Sequence, residues 1–173
     1  MVDVFNDFDH EDGDQLLDSF RERAAQMRQT IDLARDHDIP LIYVNDEHGC
    51  WNSNAPALVQ DALEAKGGDL VRPLVPEFNE PVLLKHRYSA FDHTPLDILL
   101  EERNVRRVVL IGAATEGCVV QTVIDARELG LKASIVVDAC ATTDPELEAV
   151  ALRYAQRVVG VRLARIARAP RAP

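Results

Sequence analysis

V-V-L-I-G-A-A-T-E-G-C-V-V-Q-T (108–122) is the stretch from which the fold is read. Val108 to Ile111 is an unbroken apolar run, the pattern of a strand covered on both faces. Gly112, Ala113 and Ala114 make a small-residue turn, and a helix is expected from Cys118 to Leu129, stopped by Gly130. The same alternation continues outward in both directions. Downstream, I-V-V-D (135–138) reads as a strand, Asp144-Pro145 as a helix start, and V-V-G-V-R-L (158–163) as a last strand. Upstream, V-L-L-K (82–85) and L-I-Y-V-N (41–45) are strands. A helix is expected over about 55–66, and another from a Thr94 cap, with Pro95 at its first position, to about Arg103. Leu16, Leu17, Phe20, Ala24, Met27 and Ile31 recur at helical steps, an amphipathic helix ended by His37-Asp38-Ile39-Pro40. Apolar strands separated by helices predict an α/β protein, a three-layer α/β/α, doubly wound, Rossmann-like fold on a parallel sheet.

Composition narrows the partners. The 173 residues suit one domain, expected over 1–163 with a flexible tail at 164–173. Hydrophobic residues make up 47% and the formal net charge is −10, which argues against a phosphate-backbone partner. No apolar run is long enough to span a membrane and no secretory leader is legible, so a cytoplasmic location is expected. Asp7 to Asp14 carries five carboxylates, but its glycine falls one place late for a calcium loop, and it reads as a solvated acidic loop. The arginines of L-A-R-I-A-R-A-P-R-A-P read as a frayed end.

Three cysteines, Cys50, Cys118 and Cys140, cannot all pair and match no zinc-knuckle spacing. Cys118 alone stands at a helix start, where backbone N–H groups favour an anion. A free thiol is only about 3% ionised at neutral pH, and lowering its pKa to about 6 takes roughly 3.4 kcal/mol. A helix terminus supplies about 1 kcal/mol of that, so a nearby cation is required. Lys85 ends the strand V-L-L-K, where a parallel sheet delivers residues to its carboxyl-edge crevice, and Asp3 would stand at the same edge. Nucleophile, charge stabiliser and base could thus converge. Taken singly, each has a plainer reading: a packed thiol, a snorkelling lysine and a solvated aspartate.

D-V-F-N-D-F (3–8), K-H-R-Y-S-A-F (85–91) and G-A-A-T-E-G-C-V (112–119) resemble, in this order, the three signature blocks of the isochorismatase-like cysteine hydrolases. Nicotinamidases and N-carbamoylsarcosine amidases belong to that group. The resemblance implies a six-stranded parallel sheet and a catalytic triad of Asp3, Lys85 and Cys118. It further implies a cis peptide between Ala113 and Ala114, and an oxyanion hole from the N–H groups of Ala114 and Cys118. The activity implied is cysteine-dependent hydrolysis of a small amide or carbamoyl substrate, in a homo-oligomer.

Two departures from the family pattern bear on function. Nicotinamidases bind a metal through Asp-x-His and two further histidines. Here Asp46-Glu47-His48 is followed by no histidine until His86, so no complete metal site and no cofactor are expected. The segment N-D-E-H-G-C-W (45–51) reads instead as pocket lining, with Asn45, His48 and Trp51 facing substrate. Phe8 and Phe91 are further wall candidates. Cys140 is expected to be packed, and Cys50 has no evident base. The second departure is the first strand, expected to be central but truncated, since only Met1 and Val2 precede Asp3. Three other readings stay open. One is an isochorismatase-type hydrolase of a non-amide bond, against which Cys118 speaks, and another a silent binding or assembly subunit. The third, a redox sensor, would need Cys50 as the resolving thiol.

Overall fold

The computed structural model describes residues 1–47, 49 and 52–166. Its helices are α1 (Gly13–Asp36), α2 (Ala55–Glu64), α3 (Gly68–Val71), α4 (Leu96–Glu102), α5 (Val120–Glu128) and α6 (Pro145–Tyr154). Its strands are β1 (Tyr43–Asp46), β2 (Val82–Lys85), β3 (Arg107–Gly112), β4 (Lys132–Cys140) and β5 (Arg162–Ala164). All pairings are parallel, β1 with β2 and β3 through β4 to β5. Successive strand side chains point to opposite faces, and Ile135, Val136 and Val137 of β4 are all buried, so both faces of that strand are covered. This is the α/β class expected from the alternation.

The six-stranded sheet is not what forms. Among the described residues there are five strands, and the expected first strand contracts to Val2, which bridges Val44 on one side and Gly112 on the other. Its N–H donates to the carbonyl of Ile111 and its carbonyl accepts from Ala113. The cause lies in Asp3, whose φ of 48° turns the chain out of the extended region immediately after Val2. The last strand is also shorter than expected. Val158 and Val159 extend α6 through a π-helical turn (Ala155–Val159), which Gly160 closes in the left-handed conformation.

Gly112 is required where it stands. A Cβ there would lie 1.8 Å from the Val2 carbonyl oxygen, and its φ is 134°. The core joins α1 to the strands through Leu16, Leu17, Phe20, Met27 and Ile31, each worth about 1.5–3 kcal/mol of burial. Below Val2, where nothing separates β1 from β3, an apolar cavity of about 600 Å³ is lined by Leu33, Leu41, Leu100 and Val109. Phe91 borders it too, a role different from the substrate wall expected of that residue.

Candidate active site

Strand direction brings the three expected residues to one edge. Lys85 is the last residue of β2, Asp3 follows the Val2 bridge, and Cys118 lies in a π-helical turn (Thr115–Val119) after β3. Lys85 is almost wholly buried, and its ammonium has three protons to place. One goes to Asp3 Oδ2 at 2.8 Å, one to the Arg87 carbonyl at 2.8 Å, and one to Cys118 Sγ at 3.4 Å. Asp3 is held from a second side by the Asp46 N–H at 2.6 Å and carries a hydrogen bond from the Cys118 thiol. Asp46 Oδ2 stands 3.9 Å from the ammonium.

Charge follows from this burial. Loss of water raises the Asp3 pKa above the ordinary aspartate value, and the adjacent Lys85 only partly opposes it. Burial works against the Lys85 ammonium, but Asp3 and Cys118 outweigh it and hold its pKa above the usual lysine value. Burial first, and the Asp3 carboxylate second, push the Cys118 thiol up to about 12. This corrects the expectation of a thiol that ionises readily on its own. Cys118 stands inside a π turn rather than at the start of an α-helix, and the resting site is a neutral thiol beside a carboxylate–ammonium pair.

The turn that carries Cys118 is anchored from outside. The peptide between Ala113 and Ala114 is cis. The Thr115 N–H donates to the Ala141 carbonyl at 2.8 Å, and its hydroxyl donates to Glu148 Oε1 at 2.8 Å. Glu148 in turn receives both arms of the Arg23 guanidinium. The carboxylate of Glu116 accepts from the hydroxyls of Thr142 and Thr143 and from the Thr143 N–H. The Thr122 hydroxyl donates to the Cys118 carbonyl at 2.6 Å and accepts from the Ala90 N–H at 2.9 Å. That bond ties the Lys85 segment to the Cys118 helix. No local pattern marks Arg23, Thr122 or Glu148, because their partners lie far along the chain.

Several expected pocket residues are elsewhere. Phe8 is fully buried, edge-to-face on Phe20 at 5.2 Å, and its ring fills the space beside Gly67. It is core, because Gly67 and Phe20 leave a cavity of its own shape. Asn45 is also buried, and its side chain clasps the Phe5 backbone, accepting from its N–H and donating to its carbonyl. It shapes the segment after Asp3 rather than facing substrate. His48, Cys50 and Trp51 lie outside the described residues. Cys140 is buried, as expected. Tyr88 was not anticipated. It is largely exposed, with its ring 4.0 Å from where a side chain on Gly117 would begin.

A metal of the nicotinamidase type does not fit what is described. His86 Nδ1 is engaged by Glu47 at 2.6 Å, Asp46 faces Lys85, and among the described residues no three His, Cys, Asp or Glu side chains could share an ion.

The Isochorismatase domain model matches residues 1–165. The chain belongs to the isochorismatase family. Among solved structures, this family member is similar to a pyrazinamidase/nicotinamidase from Streptococcus mutans UA159. The two are 28% identical with a TM-score of 0.74, over 94% of this chain and 96% of that one. It is also similar to the N-carbamoylsarcosine amidase of Thermoplasma acidophilum, 28% identical with a TM-score of 0.70, over 95% of this chain and 92% of that one. In sequence it is 44% identical over 96 residues to the ureidoacrylate amidohydrolase RutB of Enterobacter sp. (strain 638). That match covers 54% of this chain and 41% of the other. Family members are thus hydrolases that include amidases acting on C–N bonds.

Proposed function

We propose that the chain is a cysteine amidohydrolase that cleaves the C–N bond of a small amide or carbamoyl compound through a thioester. The observation that carries this is Cys118 Sγ at 3.4 Å from Lys85 Nζ, with Asp3 paired to the same ammonium. Ionising this thiol to solvent would leave a net negative charge in a buried site. Passing its proton to Asp3 leaves the net charge unchanged, and the raised Asp3 pKa favours that transfer.

The steps then balance. Cys118 Sγ bonds to the carbonyl carbon as Asp3 takes the thiol proton, and the carbonyl electron pair moves onto oxygen. The N–H groups of Ala114 and Cys118 are the proposed donors to that oxyanion. Collapse breaks the C–N bond, and Asp3 returns the proton to the departing nitrogen. Asp3 next accepts a proton from water as its oxygen attacks the thioester, and C–S cleavage regenerates the thiol. Lys85 keeps its charge throughout and holds both partners in place.

The names of two relatives, an N-carbamoylsarcosine amidase and a ureidoacrylate amidohydrolase, support a carbamoyl group as substrate. A nucleophilic cysteine bonded to two charged partners favours this reading over an isochorismatase-type reaction on a non-amide bond and over a silent subunit. We place the enzyme in the cytoplasm as a homo-oligomer. Among the described residues no helix is long and apolar enough to cross a membrane. The test is a panel of primary amides, carbamates and N-carbamoyl acids, assayed for released ammonia with Cys118→Ala as control. At least one substrate is expected to turn over with the native chain and none with the variant. Equal turnover by the variant would contradict the proposal.

A further inference from the structure

On α6 the usual amphipathic order is inverted. Leu147, Val150, Tyr154 and Val158 are each half or more exposed, while Glu148 and Ala155 are buried. With half-buried Ala151, these apolar side chains recur at steps of three and four along α6 and the π turn that extends it. They make one continuous stripe. A run of large apolar side chains presented to water along four turns marks an interaction face.

The charges beside the stripe say what covers it. Glu146 flanks its beginning and Arg157 its end, both exposed and on the same side of the helix. In an antiparallel pair related by a two-fold axis, each flank meets the same flank of the other copy. An axis through Ala151–Leu152 sets Glu146 against Arg157, Leu147 against Val158, and Val150 against Tyr154. One axis therefore satisfies both the apolar and the charged pairs, and Ala151 at the centre leaves room for close approach of two helices.

We propose that α6 is a self-association face, on which two copies of this chain pair their helices antiparallel about a two-fold axis at Ala151–Leu152. The pairing shares with the reading above only its homo-oligomer, and its test needs no substrate. Glu148 projects from the buried side of the same helix onto Thr115, so the interface would stand directly behind the turn that carries Cys118.

Sedimentation velocity across a concentration series is the experiment. The native chain is expected to dimerise. Val150→Glu places a carboxylate in the apolar centre and should weaken the dimer roughly tenfold or more. Arg157→Glu should weaken it through two Glu–Glu contacts, and adding Glu146→Arg should restore it. All three positions are exposed, and circular dichroism checks that each variant stays folded. A native chain that is monomeric throughout would overturn the proposal, and with it the homo-oligomer. A dimer indifferent to Val150→Glu and to the charge reversal would overturn this surface alone.

Discussion

Asp3, Lys85 and Cys118 form a site in which the proton, rather than the net charge, is what moves. Since the thiol is pushed up to about 12 while the Asp3 carboxyl is also raised, the thiolate is made by transfer within the site. Protonated Asp3 cannot accept that proton, so activity should fall as pH drops through the Asp3 pKa. The acid limb of kcat/KM is therefore expected at a higher pH than an ordinary aspartate gives. Alkylation of the native Cys118 should stay level from neutral to mildly alkaline pH. In Asp3→Asn the thiol must ionise alone, and its alkylation should rise steadily with pH while turnover falls roughly 10²–10⁴-fold. A native alkylation profile with a midpoint below about pH 7.5 would instead describe an independently activated thiol. All three residues were legible in the sequence, because strand ends and helix starts announce where side chains emerge. Phe8, Asn45 and Phe91 were not, because a core ring, a buried amide and a cavity wall are told apart only by neighbours distant in the chain.

At the scale of elements, the nucleophile's turn is fixed less by its own strand than by what packs behind it. Thr115 and Glu116 are fastened to the loop after β4, and Glu148 joins that turn to Arg23 on α1. Removing this carboxylate leaves a half-buried guanidinium without its partner. Glu148→Ala is expected to cost about 2 kcal/mol or more in urea unfolding, and to lower kcat more than it raises KM. Gly112→Ala should be harsher, above about 3 kcal/mol, since the new methyl would strike the Val2 carbonyl at a φ few side chains adopt. Asp144 caps α6 through the N–H groups of Glu146 and Leu147, and Asp144→Ala should cost about 1 kcal/mol. This cap and the strand 82–85 were read correctly from sequence, being local signals. The end of the chain was not: Val158 and Val159 have strand propensity, but helix continuation and Gly160 prevail.

For the whole molecule, the weak point is the centre of the sheet. The register that sets Val2 against Gly112 leaves Arg107 to Leu110 of β3 without a neighbour on that side, over the apolar cavity. Four β-branched residues fused ahead of Met1 should pair there, bury part of the cavity lining and raise Tm by a few degrees. An unchanged Tm would show that the gap does not accept a strand. The α/β class was legible throughout, because alternating apolar runs and helices leave little else to build. The break in the sheet was foreshadowed only by the two residues before Asp3.

The central claim is a covalent acyl enzyme on Cys118. Its most direct test is intact-mass analysis of the chain quenched in acid during turnover of an active amide or carbamoyl substrate. The account predicts a transient mass increase equal to the acyl group, mapped by digestion to the peptide bearing Cys118 and missing in Cys118→Ala. Turnover with no adduct at any quench time, matched by undiminished turnover in Cys118→Ala, would contradict it.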